Sequence, residues 1–151
     1  MRKRLCFFAR GIPKAQPRAK ASSFGGFTRV YDPGTAKEWK TIVRVSAMEA
    51  WDGVPFVGPV RVRLCVFFPR PKAHFKKDGL RPNAPTHHIT KPDAENCSKA
   101  ILDALTNAGL WRDDSQVADV RTIKYYMRNA YCGAEIIVEV ISEEEIPPNA
   151  P

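Results

Sequence analysis

The stretch KPDAENCSKAILDAL, residues 91–105, sets two carboxylates, Asp93 and Glu95, one residue apart at the mouth of an apolar-striped segment. Asn96 adds a neutral oxygen and an amide donor beside them, Lys99 follows one turn after Glu95, and a second acid pair, Asp113–Asp114, lies just beyond the segment. Each has a local reading. Asp is a preferred helix N-cap, and acids in a first turn complement the helix dipole. An Asp-Asp pair alone reads as a solvated turn that starts a strand. Together they have a chemical reading. Hard divalent ions such as Mg²⁺ take carboxylate oxygens, keep several waters and accept phosphate oxygens. A nearby lysine stabilises charge developing on a transferring phosphoryl group, and a metal-bound water becomes the nucleophile.

The surrounding charge selects between these readings. The chain carries +8 overall. Residues 1–20 hold seven Lys/Arg and no acid, and residues 61–92 hold eight with one acid, Asp78. Three of the sixteen acids sit at positions 143–145, so residues 1–142 carry 24 − 13 = +11. Such basic clusters suit a phosphate-rich partner. Acids at one spot in a basic surface repel DNA, so a pure binding face gains nothing from them. Metal-assisted phosphodiester hydrolysis needs both. Composition and spacing therefore lead to a metal-dependent nuclease. Lys14, Arg18 and Lys20, from a Pro/Gly-rich basic arm at 11–26, and Arg70, Lys72, Lys76, Lys77 and Lys91, from a long basic loop at 70–92, are the candidate DNA contacts. His87 and His88 read as solvated loop residues, because a Mg²⁺ site prefers oxygen. Lys37, Lys40 and Arg44 read as a solvated helix face, Asp103 as a structural acid, and Trp39, Trp51 and Trp111 as core or interface anchors.

The elements that must position these residues are legible from periodicity. The length fits one domain able to bury a core without staples. Strands are expected at 4–10, at 60–68 (where Val60, Val62, Leu64, Val66 and Phe68 alternate with polar residues), at 117–127 and at 135–141, the last two joined by a turn around 129–133. A first helix should run to about Trp51, opened by a capping box at Thr35–Glu38. Ala94, Cys97, Ala100, Ile101, Ala104, Leu105 and Ala108 form one apolar stripe, and Gly109 supplies the stop. The fold class is α+β: one mixed sheet of about four strands with two main helices. Residues 143–151 form an acidic, Pro-containing tail expected to fray. No run is apolar enough to span a bilayer, and the apolar stretch at 5–9 is too short for a signal peptide. Four dispersed cysteines without a Cys-x-x-Cys pair read as reduced thiols. A cytoplasmic protein without membrane attachment or small-molecule cofactor is expected.

The segment HHITKPDAENCSKAILDALTNAGLWRDDSQVADVR, residues 87–121, resembles the signature of the RusA-type crossover junction endodeoxyribonucleases, in outline K-P-D-x-D-N-x-x-K-x-x-x-D-A-L followed by W-x-D-D-x-Q-V. GIPKAQPR near the N-terminus is similar to that family's Gly/Pro/basic opening, so the likeness extends more loosely from about residue 7 to 141. The resemblance implies that Asp93, Glu95 and Asp114 are the essential acids and metal ligands, with Asp113 a further candidate ligand, Lys99 the essential lysine and Asn96 a supporting residue. Glu95 departs from the family, which usually has Asp there. It keeps the charge but reaches one methylene further. The family implies Mg²⁺ (with Mn²⁺ a substitute), paired symmetric nicking of four-way (Holliday) junctions in recombination and repair, a homodimer, and a bacterial or phage source. The alternatives are a non-catalytic DNA-binding module and a weakened relative that binds junctions without cutting, with Glu95 the suspect lesion.

One spacing conflicts with a single-chain site. Residues 94–108 span about 22 Å as a helix, and the six residues 109–114 reach at most about 20 Å fully extended. The acids join within one chain only if that segment doubles straight back along the helix or the helix is shorter than its periodicity suggests; the alternative is that Asp113 or Asp114 of one subunit completes the site of a two-fold partner.

Overall fold

A computed structural model describes residues 3–128 and 131–142. The acidic tail at 143–151 and positions 129–130 of the expected turn lie outside the described residues. The chain is α+β, with a four-stranded sheet ordered β1-β8-β4-β7: β1 (Arg4–Arg10), β4 (Val60–Phe68), β7 (Val117–Tyr126) and β8 (Gly133–Val140). β1 and β4 both run antiparallel to β8, while β4 and β7 are parallel, in register from Val62↔Val120 to Phe68↔Tyr126. The sheet is therefore mixed. The strict alternation of β4 follows from its sequence: Val60, Val62, Leu64, Val66 and Phe68 are all buried.

Two helices cover that face, α1 (Lys37–Ala50) against β1 and α2 (Ala94–Ala108) against β7, and the two pack on each other. Trp39, Val43 and Ala47 from α1 meet Cys97, Ala100, Ile101, Ala104 and Leu105 from α2 in one core with Trp111, Ile136 and Val138. Lys40 reaches across to Asp103 at 3.2 Å, which gives both residues a structural role. On the opposite face Arg61 sits between Asp119 (2.6 Å) and Glu139 (3.5 Å).

Three expectations need correction. The capping box does not form: Ala36 is the N-cap of α1, without a side-chain cap bond. Ala36 is itself buried, so packing rather than a hydroxyl fixes this end. The arm at 11–26 is not a plain loop. Its second half enters a hairpin, β2 (Lys20–Phe24) with β3 (Phe27–Tyr31), turned at Gly25–Gly26 where φ is +59° and +83°. Two consecutive positive φ values match the twist of a two-residue hairpin turn, and glycine adopts them without steric cost. The long loop at 70–92 holds a 3-10 turn (Lys72–His74) and a small hairpin, β5 (Phe75–Lys76) with β6 (Gly79–Leu80), and then lies along β7 through Tyr126 N→Thr86 O (2.9 Å) and His88 N→Lys124 O (3.1 Å). Residues 86–88 thereby cover backbone groups of an edge strand.

Candidate active site

α2 is the crossover between two parallel strands, and this decides where the acids stand. Asp93 caps its N-terminus: its backbone is extended (φ −72°, ψ 161°) and Oδ1 accepts from Asn96 N at 2.9 Å. The capping reading is therefore correct. It does not exclude a second role, because a carboxylate offers about four lone-pair sites. Gly109, left-handed at φ 87°, ends the helix, with its N–H donating back to Thr106 O at 3.0 Å.

Asp113 and Asp114 stand at the other end. Asp113 caps a short 3-10 turn, Asp114–Gln116, that leads into β7, and its Oδ1 accepts from Ser115 N at 2.9 Å. Hydrogen bonds from the Ser115 side chain and then its backbone hold the Asp113 carboxyl below the usual range. Gln116 pins the turn: its Oε1 accepts from Arg112 N (2.8 Å), and its Nε2 donates to the carbonyls of Phe56 and Gly58 (both 3.2 Å). Trp111 is buried and donates Nε1 to Thr106 Oγ1 at 2.8 Å. The segment after the helix is thus tied to the N-terminal end of β4 and does not run back along α2.

Two independent lengths give the separation. The fifteen residues of α2 span about 22 Å. Lys124, which bonds the carbonyl before Asp93, is seven residues along β7 from Val117, or about 23 Å. Among the described residues no three His, Cys, Asp or Glu side chains converge to hold a metal ion. The structure brings Asp93 and Asn96 together, keeps Glu95 exposed on the same first turn, and leaves Asp113 and Asp114 at the far end of the same helix.

Around Asp93 the chain builds a cleft of about 790 Å³, lined by residues 12–18, Thr35, Phe68 and Lys91 to Asp93 with Asn96. Lys14, Arg18 and Lys91 share it with the Asp93 carboxylate. The arm at 11–19 is fastened here: Gln16 N donates to Asn96 O (3.0 Å), Gly11 N to Cys132 O (3.1 Å), and Pro13 is buried. Glu95 and Lys99 are exposed on the first two turns of α2 and are not among the lining residues. Lys72, Lys76 and Lys77 are exposed on the 70–92 segment, and Lys20 on β2. Arg70, a candidate DNA contact, is committed elsewhere. Nε donates to Met127 O (3.0 Å) and Nη1 to Pro85 O (2.7 Å), so it staples the segment to the end of β7.

Two residues of this site escaped the sequence reading. His88 is buried, not solvated, and stacks on Phe68 with ring centroids 4.0 Å apart. Burial, then the neighbouring Lys124 charge, push its pKa down. Lys124 Nζ donates to Pro92 O (2.6 Å) and Thr90 O (2.8 Å) and lies 3.3 Å from His88 Nδ1. An ammonium only donates, so Nδ1 is the acceptor and the neutral ring carries its proton on Nε2, 3.3 Å from Thr90 Oγ1. All three donors of Lys124 are directed at the segment that delivers Asp93. A signal existed: alternation places Lys124 opposite Val66, on the helix-covered face where an unpaired lysine is costly.

The donor set suits a hard cation in part. Asp93 and Glu95 carry carboxylate oxygens one residue apart in the sequence, and Mg²⁺ needs only one or two carboxylates when water and substrate phosphate complete its shell. Asp113 and Asp114 cannot join that set within one chain.

The family model described as endodeoxyribonuclease RusA matches residues 11–139. The chain is 32% identical over 123 residues to the uncharacterized protein YqaN of Bacillus subtilis (strain 168), covering 80% of this chain and 86% of that one. A shorter stretch of 32 residues is 56% identical to the crossover junction endodeoxyribonuclease RusA of Escherichia coli (strain K12), covering 21% of this chain and 27% of that protein, and the RusA of Enterobacteria phage 82 matches over the same length at the same identity. With the family model spanning the arm, both helices and three of the four strands of the sheet (β4, β7 and β8, the last short of Val140), the chain belongs to the RusA endodeoxyribonuclease family.

Proposed function

We propose that the protein is a Mg²⁺-dependent endonuclease that resolves four-way DNA junctions by paired nicks, acting as a homodimer. The observation that carries this reading is the position of Asp93: a carboxylate at a helix N-terminus, inside a cleft it shares with Lys14, Arg18 and Lys91. The cations neutralise the DNA backbone and draw a phosphate towards an acid that would otherwise repel it. Asp93 and Glu95 would hold the Mg²⁺ ion, or Mn²⁺ in its place, which when bound supplies activation of a water and stabilisation of charge on the phosphate. Asn96, on the same cleft wall, offers an amide to orient a phosphate oxygen. Lys99, one turn on, adds positive charge near the scissile group.

Asp114, with Asp113 beside it, serves the same reaction from a second subunit. Two features support this. Within one chain α2, about 22 Å long, lies between the acids, and a two-fold dimer matches the two symmetric cut sites of a junction. A cytoplasmic setting in a bacterium or phage-infected cell, with junction DNA as partner, fits this activity.

The test is an end-labelled four-way junction incubated with the protein and Mg²⁺ or with chelator. Symmetric nicks in Mg²⁺, absent in chelator and absent for plain duplex, are expected. No cleavage under either condition contradicts the reading. The second reading, a junction-binding protein with weakened catalysis, is favoured by Glu95 standing where the family usually has Asp. Tight junction binding without nicking, with cleavage gained in Glu95→Asp, would establish it.

A further inference from the structure

The β2–β3 hairpin has no part in the core: all ten of its strand residues are exposed. Paired residues share a face, and residues two apart along a strand share it too. The register Lys20↔Tyr31, Ser22↔Arg29 and Phe24↔Phe27 therefore puts Lys20, Ser22, Phe24, Phe27, Arg29 and Tyr31 on one face. Every aromatic and every cation of the hairpin is on that side. The other face carries Ala21, Ser23, Thr28 and Val30, with Ser23 and Thr28 joined by a 3.2 Å hydrogen bond. Phe24 and Phe27, 90% and 82% exposed, flank the Gly25–Gly26 turn and form the tip.

Residues 10–31 contain five Lys/Arg and no acid. An isologous contact between two copies of this face would bring Lys20 and Arg29 towards their like-charged equivalents with no counter-charge on the face. Paired aromatics interleaved with cations suit a polyanion with accessible ring faces. The hairpin also starts at the cleft. Gln16, whose N–H bonds Asn96 O, donates Nε2 to Asp32 Oδ2 at 3.3 Å, immediately after β3. Four residue steps then carry the tip about 14 Å from that base.

We propose that the aromatic face of this hairpin stacks on unpaired bases, with Phe24 and Phe27 at its tip engaging the bases exposed where the strands of branched DNA separate, while Lys20 and Arg29 hold the adjoining phosphates. This deepens the junction reading and names the residues that recognise the open branch, apart from those that cut.

The test uses full-length protein, the variant Phe24→Ser/Phe27→Ser, and Phe24→Tyr/Phe27→Tyr as the conservative control. The probes are an oligo-dT single strand, a duplex of equal length and an immobile four-way junction. Loss of aromatic stacking should weaken binding of oligo-dT and of the junction by roughly 5- to 100-fold. Duplex affinity and oligomeric state stay as in the unmodified protein, and tyrosine retains tight binding. The proposal is overturned if the serine variant binds oligo-dT and junction as well as the parent, if it loses duplex affinity equally, or if it changes oligomeric state, which would make the hairpin a contact between copies of the chain. The oligo-dT arm does not depend on cleavage. A parent protein that cuts no junction, yet loses oligo-dT binding in the serine variant, defeats the proposed activity and leaves the hairpin assignment standing.

Discussion

Lys124 Nζ donates to the carbonyl oxygen of Pro92 at 2.6 Å, and so fixes the peptide that enters Asp93. With Thr90 O and His88 Nδ1 taking its other protons, the ammonium ties the last residues of the 70–92 segment to the end of β7. In Lys124→Met the chain length is kept and those acceptors lose their donor. Unfolding in denaturant should show a loss of about 1–3 kcal/mol. Nicking should fall by about ten-fold or more at saturating junction, because a displacement of about 1 Å at a reacting group is costly, while junction affinity changes little. Unchanged turnover in a folded Lys124→Met protein would show that Asp93 holds its place without this clamp.

The structural role of Asp93 as a cap and its proposed chemical role are separable by substitution. Asn is as good an N-cap as Asp, while Ala costs typically ~1 kcal/mol. Asp93→Asn should therefore match the parent in stability and lose nicking, with junction affinity equal or higher because a repulsive charge is gone. Asp93→Ala should lose both nicking and stability. If Asp93→Asn cuts at the parent rate, the carboxylate is a cap and nothing more.

His88 makes stability pH-dependent. Its native pKa lies below its ordinary value, so below about pH 6.5 the unfolded chain binds the proton more readily than the native one. Acidification through that window favours unfolding, and the effect levels off below the native pKa. His88→Gln keeps an oxygen acceptor for Lys124 and cannot titrate. Thermal melts between about pH 7.5 and about pH 5 should show a smaller acid-induced fall in Tm for His88→Gln than for the parent. Equal falls would assign the effect to other groups.

Junction affinity should drop steeply with salt, with log K falling by roughly 0.9 per neutralised phosphate for each decade of salt. Replacing Lys14, Arg18 and Lys91 by Gln should flatten that slope by about three phosphates' worth. Replacing Arg70, which is spent on Met127 O and Pro85 O, should leave the slope alone and lower stability instead. A slope unaffected by the triple substitution would remove the cleft from the binding face.

The parts of this architecture legible in the sequence are those fixed by local period. The alternation from Val60 to Phe68 and the apolar stripe from Ala94 to Ala108 each depend on neighbours within one element. So do Asp93 and Gly109, whose capping roles are set within a turn. What was not legible depends on partners distant in the chain. Lys124 meets Pro92 across 32 positions, and His88 owes its burial to Phe68 and Tyr126. The β2–β3 hairpin was missed for a different reason. A Gly-Gly pair between two Phe residues is a hairpin signal, but strands with no buried face show no hydrophobic alternation. The spacing conflict between Asp93 and Asp114 was visible from helix length alone. The outcome, a turn pinned by Gln116 to Phe56 and Gly58 at the far end of β4, required the fold.

In the proposed dimer, acids from opposite ends of α2 serve one reaction across two chains. Mixing Asp93→Asn and Asp114→Asn proteins under conditions of subunit exchange is the decisive experiment. Each variant alone should be inactive. In the heterodimer one composite site carries both lesions and the other carries none, so single-strand nicking of a labelled junction should return, to at most about half the parent rate. If heterodimers demonstrably form and every mixture stays inactive, the acids do not combine between subunits, and the shared site is wrong.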